Sequence, residues 1–214
     1  MYEVVLFDLD GTLTDPGVGI TNSVAYALDK YGIQTKSRAE LYKFIGPPLH
    51  ESFEVFYGFS KEQAMEAVAY YREYYRDRGI FENVLYEGME ELLINLKRSG
   101  KKLLVATSKP EQFARMILEH FELSKYFDYV AGANMDGTRT RKDEVISYAL
   151  MAGNVTDLPK AVMVGDREYD ILGAKKVGLD SIGVLYGYGS LGELKEAGAD
   201  FIVKKAGDIA AVAG

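Results

Sequence analysis

Two aspartates one residue apart close the first apolar run of the chain: Asp8 and Asp10 follow Val4-Val5-Leu6-Phe7. Residues two apart on an extended chain project to the same side, so the two carboxylates come close together and need a counter-charge or a proton. Other apolar runs also end in polar residues. Thr107 and Ser108 follow Leu103 to Ala106, Gly165-Asp166 follows Ala161 to Val164, and Lys142 opens a helical pattern after the run at Tyr129. Asp170 stands four residues beyond Asp166. Hard oxygen ligands from a few carboxylates, with the remaining sites left to water and phosphate, suit Mg²⁺. The Thr107 hydroxyl, the strand-end backbone N–H groups and the Lys142 ammonium form a cradle for phosphate oxygens. Taken singly, each aspartate is an ordinary turn residue; the set together is a candidate site.

Strands and helices must bring these residues to one edge. Continuous apolar, β-branched runs mark parallel strands buried on both faces, and they are expected at Tyr2 to Phe7, Leu103 to Ala106, Tyr129 to Ala131, Ala161 to Val164, Ser181 to Val184 and Phe201 to Val203. Helices are expected between them, starting near Pro110, Lys142, Tyr169 and Leu191, after one formed by Leu92, Leu93 and Leu96 that stops at Gly100. This alternation predicts an α/β protein with a doubly wound, mostly parallel, Rossmann-like sheet whose ligand crevice lies at the carboxyl ends of the strands. From Gly17 to Arg78 the periodicity is helical throughout, with stripes at Ile20, Val24, Ala27 and Leu28, at Leu49, Phe53 and Phe56, and at Ala64, Val68 and Tyr71. An all-α insert over 15–82 therefore interrupts a core made of 1–14 and 83–214.

Composition narrows the partners. A net charge of -7 over 214 residues argues against a nucleic acid polymer or an anionic membrane, since both reward basic surfaces. With no cysteine there is neither thiol catalysis nor a thiolate metal site. The first apolar run is too short for a signal-peptide core or a membrane span, and a cytoplasmic location is the expectation.

The quoted residues carry a family resemblance. Phe7-Asp8-Leu9-Asp10-Gly11-Thr12-Leu13 and Val164-Gly165-Asp166-Arg167-Glu168-Tyr169-Asp170 resemble the first and last motifs of the haloacid dehalogenase superfamily, Val105-Ala106-Thr107-Ser108-Lys109 resembles the second, and Lys142 the third. Tyr186-Gly187-Tyr188-Gly189 and Gly198-Ala199-Asp200 are similar to the phosphoglycolate phosphatase and 5'-nucleotidase-like branch. The resemblance implies a Mg²⁺-dependent phosphomonoester hydrolase acting on a small phosphorylated metabolite through an aspartyl-phosphate. Asp8 would be the nucleophile and Asp10 the acid and then the base. Asp8, Asp166 and the Asp10 backbone carbonyl would hold the metal, with Asp170 behind them, while Thr107, Ser108 and Lys142 would bind phosphate. The insert becomes a cap domain, and Gly46, Pro47, Pro48 and Leu49 its specificity loop. One departure is Tyr86-Glu87-Gly88, where many relatives have Tyr-Pro-Gly.

A sugar phosphomutase shares every one of these core residues, and a catalytically silent binding protein would keep the fold without turnover. Lys109, Arg139, Arg141 and His50 are each open between substrate contact and a solvated charge. His120 reads as a surface residue at a helix end, and Tyr70, Tyr71, Tyr74 and Tyr75 as packing of the helical insert. Monomer and homodimer both remain open.

Overall fold

A computed structural model describes residues 1–136 and 138–214. The chain runs β1 (Val4–Phe7), β2 (Thr14–Asp15), α1 (Gly17–Asp29), a 3₁₀ turn (Arg38–Phe44), α2 (Leu49–Tyr57), α3 (Lys61–Tyr74), a π turn (Tyr75–Gly79) and β3 (Val84–Leu85). It continues through α4 (Met89–Arg98), β4 (Lys102–Pro110), α5 (Glu111–His120), β5 (Tyr129–Ala133), α6 (Lys142–Ala152) and β6 (Ala161–Gly165). The last elements are α7 (Glu168–Val177), β7 (Asp180–Val184), α8 (Leu191–Ala197), β8 (Phe201–Val203) and α9 (Asp208–Ala213). Two compact units result: Met1–Thr14 with Leu85–Gly214, and Asp15–Val84.

In the larger unit six strands form one sheet in the order β5-β4-β1-β6-β7-β8, and every neighbouring pair is parallel. The order reverses at β1, so the crevice expected at a topological switch point lies beside the carboxyl end of that strand. Val4, Leu6, Leu104, Ala106 and Met163 pack on Val145, Ile146 and Ala149 of α6 and Ala174 of α7. Residues of the other parity, Val5, Phe7, Leu103 and Val105, are buried as well, as they must be in a parallel sheet covered on both faces. Right-handed crossovers place α5, which joins β4 to β5, on the face opposite α6 and α7. α9 was not anticipated; it packs against α4 and β8.

β4 is longer than its apolar run. It continues through Thr107, Ser108 and Lys109 to Pro110, with its register against β5 slipping between Ala106 and Pro110. An irregularity of this kind at a strand's end re-aims side chains, and it falls on the residues of the second motif. Pro110 consequently ends the strand and precedes α5, which starts at Glu111 rather than on the proline itself.

The smaller unit is a helical bundle in which α1 and α2 both contact α3. Ser60 and Gln63 form a reciprocal capping box at the start of α3. Phe44 meets Phe53 edge-on at 5.0 Å, and Tyr71 stacks on Tyr75 at 5.2 Å. Among the tyrosines expected to pack, Tyr71 and Tyr75 are buried, whereas Tyr70 and Tyr74 are partly accessible and meet Tyr31 and Tyr26.

Leu104 is fully buried between β1, β5 and α6. Leu104→Ala is expected to lower unfolding free energy by about 2–5 kcal/mol in urea titrations followed by circular dichroism.

Candidate active site

β1 hands its last apolar residue to Asp8, whose N–H still donates to the Val164 carbonyl of β6 at 2.9 Å. The chain then doubles back, and the Leu9 carbonyl accepts from the N–H groups of Thr12, Leu13 and Thr14. Gly11 lies within this turn at φ +83°, and a Cβ there would collide with the Asp166 carboxylate. Glycine is what lets the turn after β1 close onto the acid after β6.

One carboxylate oxygen from each of Asp8, Asp166 and Asp170 lies within 4.8 Å of the other two, and all three residues are buried. Lys142, at the first position of α6, places its Nζ 2.8 Å from both Asp8 Oδ1 and Asp170 Oδ1. The ammonium also donates to the Ala106 carbonyl at 3.2 Å. Asp170 Oδ2 accepts from the Arg167 N–H at 3.1 Å, as an acid in a helix's first turn should. Glu193 Oε1 in turn receives Arg167 Nε at 2.7 Å and the Glu168 N–H at 3.0 Å, which steadies the start of α7. Asp166 is fully buried; its Oδ2 accepts from the Tyr188 N–H at 2.7 Å and its Oδ1 from the Thr12 hydroxyl at 3.5 Å.

Asp10 is held differently. Its Oδ2 pairs with Lys109 Nζ at 2.5 Å, while its Oδ1 is buried with no hydrogen-bond partner among the described residues. The Lys109 N–H donates to Thr107 Oγ1 at 3.2 Å, and Thr107 is itself 1% exposed. The extension of β4 therefore links the second motif to the first through one lysine.

Burial and like charge act together here. Burial pushes the Asp166 carboxyl well above the usual carboxylate range, and Asp170 and Asp8 add to that push. For Asp170 burial again dominates and raises the carboxyl to about 6, although Lys142 pulls the other way. Desolvation works against the Lys142 ammonium, but the Asp170 and Asp8 carboxylates outweigh it and the net shift is upward. Asp10 is raised by burial against the opposing pull of Lys109. With Asp10 and Lys109 balancing one another, three carboxylates face a single ammonium among the described residues, an excess of two negative charges when all three are ionised. A divalent cation fits that donor set in both charge and hardness.

The residues expected to act together largely converge: Asp8, Asp166, Asp170 and Lys142 are in mutual reach, and the charges of Asp8 and Lys142 both act on Asp10. Ser108 is half-buried next to Thr107. Gly46, Pro47, Pro48 and Leu49 belong to the smaller unit, ahead of and into α2, as does His50, whose Nε2 is 3.8 Å from Glu51. The open cations separate cleanly. Arg141 is exposed and pairs with Asp143 at 2.7 Å, while Arg139 lies 3.7 Å from the Tyr148 ring centre and donates to the Gly132 carbonyl.

Two contributors were not singled out by residue type. Gly173 sits mid-helix in α7, where a Cβ would press on Lys142 Cγ at 2.8 Å; a glycine that costs a helix about 1 kcal/mol relative to alanine was the available signal. Tyr186-Gly187-Tyr188-Gly189 carried only a resemblance, yet it supplies the Tyr188 N–H to Asp166 and a Tyr186 hydroxyl donated to the Thr12 carbonyl at 3.0 Å.

A doubly wound α/β sheet with an acidic cluster and a buried lysine at its switch point defines an enzyme fold that binds its ligand at the strand ends. Residues 5–184 match the haloacid dehalogenase-like hydrolase family. A 5'-nucleotidase of Pseudomonas aeruginosa is 47% identical over 91% of this chain and 87% of its own length. A predicted phosphatase from Clostridium acetobutylicum superposes with a TM-score of 0.96 at 50% identity, covering 99% of this chain and 98% of its own. The tyrosine-protein kinase PtkA of Mycobacterium tuberculosis is 41% identical over 94% of this chain but 66% of its own length. The chain belongs to the haloacid dehalogenase-like hydrolase family.

Lys142→Met should strand Asp8 and Asp170 without their shared cation. A loss of about 3–5 kcal/mol is expected for breaking a buried pair in this way, measured by urea unfolding in chelator.

Proposed function

We propose that this enzyme hydrolyses small phosphomonoesters, of the phosphoglycolate or nucleoside 5'-monophosphate type, with Mg²⁺ bound and Asp8 as the nucleophile. The observation that carries this reading is the buried excess of carboxylate around Lys142, next to the Asp10–Lys109 pair. The names of the nucleotidase and phosphatase relatives support it. Asp8 and Asp166, with the Asp10 backbone carbonyl, are the residues assigned to hold the metal, and Asp170 anchors Lys142 behind them. Bound there, Mg²⁺ would neutralise charge on the phosphoryl oxygens.

In the first step an Asp8 oxygen bonds to phosphorus as the bond from phosphorus to the ester oxygen breaks, and Asp10 gives its proton to that oxygen so that the alcohol leaves. In the second, Asp10 takes a proton from water as the water oxygen attacks the same phosphorus; inorganic phosphate departs and the Asp8 carboxylate is restored. Thr107, Ser108 and Lys142 hold the phosphoryl oxygens through both steps. Residues 15–82 are assigned the role of a cap domain, in which Gly46, Pro47, Pro48 and Leu49 choose among leaving groups. Gly46 is exposed and the three residues after it are partly so, which suits a recognition loop.

The test is a panel of phosphomonoesters ranked by kcat/KM, with inorganic phosphate as the product followed. Asp8→Asn is expected to lower kcat by at least about 10³-fold while substrate still binds. Transfer of the phosphoryl group to a second sugar hydroxyl or to a tyrosine, with no phosphate released, would replace hydrolysis by a transferase reading. Separately, Mg²⁺ at about a hundredfold excess over its dissociation constant should stabilise the wild type by about 2.7 kcal/mol in thermal unfolding, and Asp166→Asn should remove most of that gain.

A further inference from the structure

Asp10 is gripped on one side only. Lys109 Nζ contacts Oδ2 at 2.5 Å, the lysine and aspartate side chains being 6% and 13% exposed, while Oδ1 is buried with no hydrogen-bond partner among the described residues. An ammonium carries three donors and no acceptor, so the oxygen it touches can only accept. A proton on this carboxyl is thereby directed to Oδ1, the atom left for chemistry. We propose that Lys109 is a positioning residue for Asp10: by holding Oδ2 it turns Oδ1 toward the leaving-group oxygen, and later toward the attacking water. The inference rests on the acid and base role given to Asp10 above.

The local fold explains how a lysine reaches this place. Lys109 lies on the extension of β4, beyond the register slip that follows Ala106. Its backbone N–H is tied to Thr107 Oγ1 at 3.2 Å, so the strand end carrying the phosphate-binding hydroxyl also anchors the lysine. β4 is the direct neighbour of β1, with Phe7 paired to Val105. One cross-strand ion pair thus sets the orientation of Asp10 relative to Thr107. The neighbouring ammonium of Lys142 faces Asp8 and Asp170 instead, so the two lysines divide the acidic groups between them.

The effect of losing Lys109 should depend on the leaving group. Aryl phosphates expel a stable phenolate and need little help from an acid, whereas alkyl phosphates need the proton. Lys109→Met is expected to lower kcat/KM, which reports formation of the aspartyl-phosphate, about 10- to 100-fold on an alkyl phosphate such as glycerol phosphate and less than about 3-fold on p-nitrophenyl phosphate, while kcat, which includes attack by water on the shared intermediate, falls on both. In the Asp10→Asn background the same change should cost nothing further, because the partner it positions is gone. The double variant removes both buried charges together, so it remains a folded comparison even if Lys109→Met alone is unstable; thermal unfolding of all four proteins verifies this.

Equal losses of kcat/KM on both esters with a raised KM would mean that Lys109 binds the phosphoryl group directly, and the proposal would fall. A further loss in the Asp10→Asn background would overturn it as well. Full turnover of alkyl esters by Asp10→Asn alone would instead remove the acid and base reading itself, a failure seen in a different protein from the Lys109 variants.

Discussion

A single ammonium shared by two buried carboxylates governs the organisation of the larger unit. Lys142 stands 2.8 Å from Asp8 and from Asp170, and these residues come from the ends of β1, the start of α6 and the first turn of α7. Taking three charges out of water is costly, and mutual attraction repays the cost only when the surroundings hold the groups in place. The surroundings do so at several points. Gly173 admits the lysine stem, Gly11 admits Asp166, and Glu193 fixes the backbone that presents Asp170.

Sheet topology makes this convergence inexpensive in chain geometry. Because the strand order reverses at β1, the connections on its two sides diverge and leave a gap at the carboxyl end. Asp8 and Asp166 border that gap from adjacent strands whose registers match, Phe7 opposite Val164. The slip in β4 then carries Thr107 and Lys109 alongside from the other neighbour. Each chemical group therefore arrives on a rigid strand end or helix start, which suits a site that must keep its oxygens within fractions of an ångström.

Much of this was legible beforehand because strand-end residues announce themselves as polar breaks in apolar runs. Asp8, Thr107 and Asp166 were readable in this way, as was the parallel sheet itself. Lys142 was separable from Arg141 only by resemblance; the difference is the helical phase that turns one inward and leaves the other on Asp143. The continuation of β4 through Lys109 was hidden because polar residues in extended backbone resemble a loop when only hydrophobic pattern is read. Asp10 illustrates a further limit. Its two-residue spacing from Asp8 suggested a shared site, but its carboxylate is drawn off to Lys109, a partner 99 positions away that no local pattern marks.

β1 holds Asp8 at one end, yet it comes first in the chain and its two partners come late. Val4 pairs with Lys102 on one side and with Ala161 on the other. On a ribosome, where chains grow from the N-terminus, this segment must wait until β6 (Ala161–Gly165) has been made before both of its edges are satisfied. In the meantime the helical unit at 15–84, whose contacts are closer together in sequence, can form ahead of it. The strand that ends in Asp8 is then an early-made segment completed late, and its apolar length of four residues, Val4–Phe7, limits how much sticky edge the nascent chain exposes during the wait.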